Sequence, residues 1–217
     1  MSEDHLRFTR VVRATIAPLV MAPYRARVTG EENLPDTGAI LSGNHVSYLD
    51  PMILWTRAPR RVHFMGKSEL FEGGLLLGWL LPRVLAFPIR RGEADRKAIQ
   101  EATRLLKSGE FVGIFPEGTR HRESDTELGE AQSGAAFIAI RSGCPIIPVG
   151  IAGTDEALPP GKKLPRFPRV AIRYGEPIEP TAFVDGSRKE RIAAMTEFLM
   201  LRISEELSRA KEDRHAR

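Results

Sequence analysis

Ala39-Ile40-Leu41-Ser42-Gly43-Asn44-His45-Val46-Ser47-Tyr48-Leu49-Asp50-Pro51 is the stretch that decides the fold. It opens as a short apolar run, the pattern of a strand buried on both faces. It then turns polar, and a helix start is due before it ends. Ser47 is a capping type, and so is Asp50, with Pro51 suited to the first helical position. A buried strand that passes through a polar loop into a helix is one unit of an α/β sheet. The polar loop falls at the carboxyl end of the strand, where such sheets place their ligands.

The same alternation extends outward on both sides. Residues 25–29 read as an edge strand closed by a turn at Gly30, and 62–65, 84–89, 111–115, 146–151 and 170–174 read as further strands. Between and after them, 69–81 reads as an apolar helix and 93–108 as an amphipathic one, with Ile99, Ala102, Leu105 and Leu106 on one side and Gly109 at its end. A helix over 132–141 stops at Ser142-Gly143, and a long one over 187–210 carries Ile192, Met195, Leu199, Ile203 and Leu207 as one stripe. The expectation is an α/β fold: a central sheet, largely parallel or mixed, flanked by helices and preceded by an N-terminal amphipathic helical segment. Residues 1–23 are read as that segment and 24–217 as one domain. Within the segment, Arg7, Arg10 and Arg13 mix with Val11, Val12, Ile16, Leu19 and Val20, and Pro18 breaks or kinks it. It suits either a membrane headgroup region or a face of its own domain.

Composition narrows the class. A chain of 217 residues with 42% hydrophobic and 28% charged residues is globular and can bury one sizeable core. Cys144 is the only cysteine, so no internal disulfide forms and a reducing compartment is expected. Flanked by Gly143 and Pro145, it reads as a small packed residue rather than a nucleophile. The net charge of +4 suits nucleic acid, an anionic membrane or a phosphorylated substrate. The opening MSEDHLRFTR lacks a basic leader followed by an apolar core, so it is not a secretory signal. No apolar run reaches the length of a membrane span; the most apolar stretch, 73–89, is interrupted by Pro82 and Arg83.

Three segments carry chemistry, each after an expected strand. In the first, the His45 imidazole can take a proton from a hydroxyl near neutral pH, and a carboxylate on its other nitrogen would fix the tautomer. Asp50 lies five residues on. One ideal helix would place the two about 140° apart, whereas a turn entering a helix brings them together. The second segment, Phe87-Pro88-Ile89-Arg90-Arg91-Gly92, offers two planar guanidinium forks for a phosphate. The third, Phe115-Pro116-Glu117-Gly118-Thr119-Arg120, combines a glycine that admits close backbone approach with an acid and an anion-binding arginine. A serine-hydrolase elbow, a P-loop and a dinucleotide fingerprint are missing, and five scattered histidines give no zinc pattern.

Together these segments resemble the glycerolipid acyltransferase family, and within it the bacterial 1-acyl-sn-glycerol-3-phosphate acyltransferases. Asn44-His45 to Asp50-Pro51 is similar to the family's first, catalytic block, 87–92 to its second, with Arg91 in the arginine position, 115–120 to its third and Ile146-Ile147-Pro148-Val149 to its fourth. The resemblance covers about residues 24–177. It implies catalysis by His45 and Asp50, with Arg91, Glu117, Gly118, Thr119 and Arg120 holding the acceptor's phosphate and glycerol. It also implies phosphatidic acid as product, fatty acyl-CoA or acyl carrier protein as donor, and neither metal nor cofactor. The lysophospholipid acceptor and an anionic membrane surface are the partners implied, with the protein peripheral at the cytoplasmic face of the cell membrane and no nucleic acid bound.

Two departures bear on the acceptor: His121 stands where the third block usually continues with serine, and Gln132-Ser133-Gly134 stands where a lysine often precedes the glycine. They keep open another lysophospholipid, a glycolipid or an aminoacyl lipid. A nucleic-acid module is disfavoured, because 28 acidic residues nearly match 32 basic ones and only 7% of residues are aromatic. An inactive lipid-binding relative is disfavoured by the presence of both His45 and Asp50.

Overall fold

The structure is a computed structural model and describes residues 11, 14–15, 22–47, 49–67, 86–89, 96–117, 131–157 and 166–216. All seven expected strands are present: β1 (Arg27–Thr29), β2 (Ala39–Gly43), β3 (Val62–Lys67), β4 (Ala86–Ile89), β5 (Phe111–Ile114), β6 (Ile146–Ala152) and β7 (Ala171–Tyr174). They form one sheet in the order β1-β7-β6-β2-β5-β3-β4. Every pairing is parallel except β6 with β7. The described helices are α1 (Asp50–Arg57), α2 (Arg96–Lys107), α3 (Gly134–Ser142) and α4 (Arg188–His215). The expected helix over 69–81 and most of the segment 1–23 lie outside the described residues.

The two central strands explain the apolar runs. Every residue of β2 and of β6 is buried, as strands covered on both faces must be. One face carries α1 and the short turn Ala22–Tyr24, packing Tyr24, Ile53, Leu54 and Trp55 on Leu41, Ile147, Val149 and Ile151. The other carries α2, α3 and α4, packing Leu105, Leu106, Ile138, Met195, Leu199 and Ile203 on Ile40, Val112 and Ile146. Glycine lets α4 lie directly on β6: a Cβ on Gly150 would stand 2.2 Å from the Glu206 carbonyl. Pro148 is tolerated inside β6 because β7 ends beside it. Its carbonyl accepts from Gly175 N at 2.8 Å, and the reciprocal bond it has no donor for marks where the ladder stops.

Local signals end the helices where the sequence indicates. Gly143 takes φ 75° and its N–H returns to the Ala139 carbonyl, closing α3. Ser187 and Glu190 form a reciprocal capping box at the start of α4. That helix runs five residues past the expected 210, and tertiary contacts account for the extra length. Asp213 pairs with Arg173 of β7 at 3.0 Å, and Arg214 forks onto Glu156 and donates to the Arg169 carbonyl at 2.8 Å. The α1 start also differs from expectation. Asp50 is its first residue and Leu49 precedes it in helical geometry, so neither Ser47 nor Asp50 is the cap. The Ser47 hydroxyl accepts instead from Leu49 N at 3.3 Å.

Candidate active site

The site grows from the carboxyl ends of β2 and β5. Gly43 closes β2, and a Cβ there would meet the Val149 carbonyl at 2.8 Å, so only glycine lets the chain pass this close to β6. Asn44 then fastens the loop. Its side-chain amide donates to the Ile151 carbonyl at 2.9 Å and accepts from Ile151 N at 2.8 Å. This side chain thus replaces one strand residue in the ladder of β6. With Asn44 and Ile151 each 1% exposed, water does not compete for these bonds.

His45 follows outside the helix, and Asp50 opens it. The turn expected from the sequence brings the pair together, with His45 Nδ1 2.9 Å from Asp50 Oδ2. The same carboxylate oxygen accepts from Val46 N at 2.8 Å and Ser47 N at 2.7 Å. Asp50 is fully buried, while the His45 side chain is 19% exposed. Two backbone N–H groups and the His45 ring thus converge on one oxygen of this buried carboxyl. With Nδ1 turned to Asp50, Nε2 is the ring nitrogen that remains for another partner.

The imidazole is held from one side by a stack of rings. Phe115 lies against it with centroids 4.3 Å apart and planes 18° apart, and Phe64 lies behind Phe115 at 5.8 Å and 8°. The stack needs Gly113, since a Cβ there would come within 2.3 Å of the Phe64 ring. Glu117, beyond the end of β5 and 4% exposed, accepts from His45 N through Oε1 at 3.2 Å. The Pro116 carbonyl beside it accepts from Gln132 N at 2.7 Å, tying this turn to the segment that enters α3.

Of the residues singled out in the sequence, the structure joins His45, Asp50 and Glu117. Arg91, Gly118, Thr119 and Arg120 lie outside the described residues. Three contacts were not read from the sequence: the bonds of Asn44 to Ile151, the Phe115 ring on His45, and Phe64 behind it. Asn44 and Ile151 are 107 residues apart, so only strand adjacency reveals their bond. Phe115 carried a weak signal, an aromatic residue directly after a strand in the same block as Glu117. Cys144 is half-buried against the α2–α4 core, away from this cluster.

An acyltransferase family model matches residues 25–152, more than half of the chain. The chain is 36% identical over 181 residues to the 1-acyl-sn-glycerol-3-phosphate acyltransferase of Bacillus subtilis, covering 82% of this chain and 86% of that protein. It is 33% identical over 185 residues to the lyso-ornithine lipid O-acyltransferase of Pseudomonas aeruginosa, covering 78% and 70%. The crystal structure of the Thermotoga maritima 1-acyl-sn-glycerophosphate acyltransferase, PlsC, superposes with a TM-score of 0.68 at 25% identity, covering 92% of this chain and 82% of that one.

Proposed function

The chain belongs to the acyltransferase family, and from that premise we propose that it moves a fatty acyl group from acyl-CoA or acyl carrier protein to the free hydroxyl of 1-acylglycerol-3-phosphate, giving phosphatidic acid. The bond between His45 Nδ1 and Asp50 Oδ2, 2.9 Å long, carries this reading. His45 Nε2 takes the proton of the glycerol hydroxyl as its oxygen attacks the thioester carbonyl. The tetrahedral intermediate collapses, the C–S bond breaks, and the imidazolium returns the proton to the leaving thiolate. Asp50 holds the ring and its charge through this cycle; no acyl-enzyme forms. Base catalysis of this kind contributes roughly 10²–10⁴-fold, and holding two substrates together contributes further.

Arg91, Glu117, Gly118, Thr119 and Arg120 are assigned to the acceptor's phosphate and glycerol. Glu117 already spends one carboxylate oxygen on His45 N, which couples the acceptor side to the base. The acceptor resides in a bilayer, so the protein works on an anionic membrane surface, as a peripheral protein at the cytoplasmic face. Among the described residues no helix is long and apolar enough to cross a membrane.

A second acceptor class is favoured by two observations: the likeness to a lyso-ornithine lipid O-acyltransferase, and the replaced residues His121 and Gln132 on the acceptor side. Lysophosphatidic acid and a lyso-aminoacyl lipid offered side by side, with acyl-CoA and with acyl carrier protein, decide between them. Phosphatidic acid formed by the wild type and lost by a folded His45→Ala variant supports the reaction and its base. Full activity in that variant refutes the mechanism.

A further inference from the structure

We infer that Phe167, backed by Tyr24 and flanked by Arg25, Arg166 and Arg169, is an interfacial anchor that seats the catalytic end of the sheet on an anionic bilayer. The inference rests on the membrane-surface reading above and gives it a specific contact.

Topology puts this patch at the correct end of the molecule. β7 runs antiparallel to β6, so its first residue, Ala171, pairs with Ala152 at the carboxyl end of β6. That is the end on which Asn44 fastens the His45 loop to Ile151. Backbone bonds from Val170 N to the Tyr24 carbonyl at 3.1 Å and from Arg27 N to the Val170 carbonyl at 2.9 Å tie residues 22–27 to the same place. Tyr24 shares its core with Ile53, Leu54 and Trp55 of α1, the helix that Asp50 opens.

The patch itself is an aromatic ring in a basic frame. Phe167 is 57% exposed, yet its ring meets the buried Tyr24 ring edge-on at 5.4 Å and 69°, which holds it in place. Arg25, Arg166 and Arg169 are exposed around it. Arg25 takes φ 44°, a left-handed conformation few non-glycine residues adopt, where the chain reverses from the turn into β1. No acidic residue occurs in 22–30 or 157–173. Among the described residues, Glu156 forks onto Arg214 and also faces Arg166, while Asp213 holds Thr29 at 2.9 Å and Arg173 at 3.0 Å. Three exposed arginines thus stand beside a fixed, unburied ring, with Arg166 also within reach of the Glu156 charge. A ring at headgroup depth with cations beside it is how a protein rests on an anionic leaflet.

The test is sedimentation of the full chain with vesicles of phosphatidylcholine, alone or mixed with phosphatidylglycerol. F167S should weaken partitioning to both by about tenfold. The combined R25Q, R166Q and R169Q variant should weaken it on the order of a hundredfold on the anionic vesicles only. Both variants should keep the wild-type unfolding midpoint and the wild-type rate on acceptor dispersed in detergent. Wild-type partitioning by both variants overturns the anchor, and so does loss of carrier-protein-dependent activity with vesicle binding intact, which would make the patch a carrier-protein dock. Vesicle binding that depends on Phe167 without any acyl transfer sinks the proposed reaction and leaves the anchor standing.

Discussion

Replacing Asn44 by alanine removes two buried hydrogen bonds at once and leaves both backbone groups of Ile151 without partners. The bonds measure 2.9 and 2.8 Å, and both residues are 1% exposed, so no solvent reaches the vacated groups from outside. A buried backbone group left unpaired costs about 1–3 kcal/mol, and two such groups set an expected loss of about 4 kcal/mol. That is a large share of the ~5–15 kcal/mol that holds a domain folded. Urea unfolding reads it directly, as a fall in midpoint with an unchanged slope. Asn44→Asp should behave similarly, because its oxygen replaces the amide donor opposite the Ile151 carbonyl. Activity should fall further than stability explains. The peptide that follows Asn44 carries His45, and loosening it misplaces the base proposed for the reaction, so kcat drops by at least about tenfold while KM changes less. A stability loss below about 1 kcal/mol with unchanged kcat would refute the lock.

Two further outcomes follow from contacts away from the base. Arg60 lies over the Phe111 ring at 4.1 Å and donates to the carbonyls of Asp36 and Gly109 at 2.9 Å, Thr37 at 2.8 Å, and Pro35. It pins the amino ends of β2 and β5, opposite the site, so Arg60→Met should cost about 3 kcal/mol in urea unfolding and leave kcat unchanged. At the end of α4, the hydrogen bond from Arg214 holds the Glu156 carboxyl below the usual range. Burial pushes the Asp213 carboxyl up, but bonds from Thr29 and Arg173 outweigh it and hold it low as well. Carboxyls lowered in the folded state stabilise it fully above their unfolded range, near pH ~4, and lose that contribution as pH falls through the folded values. Amide protection over residues 211–215 should therefore weaken in acid before that of 195–203, and Arg214→Gln should blunt the Glu156 share.

The alternation of strand and helix was legible because burial leaves a local signature. β2 and β6 are apolar throughout since both faces are covered, α4 shows its stripe at helical spacing, and Gly109 and Gly143 mark ends that need a left-handed residue. The pairing of His45 with Asp50 was legible for a similar reason: five residues that include a helix start bring the two side chains together. The start of α1 was not, because Asp50 gives its carboxylate to His45 and to the turn rather than to the helix. The last turn of α4 was not either, since Glu156, Arg173 and Arg169 support it from other elements.

The amino-acid sequence alone thus determined the kind of fold and the meeting of His45 with Asp50, both of which follow from contacts close in the chain. Only the tertiary structure decided that β7 turns antiparallel, which brings Phe167 to the catalytic end, that Asn44 completes β6 across 107 residues, and that Phe115 and Phe64 back the imidazole. Periodicity records which face of a segment is buried. It does not record which strand lies beside it, and each of these features exists only through that neighbour.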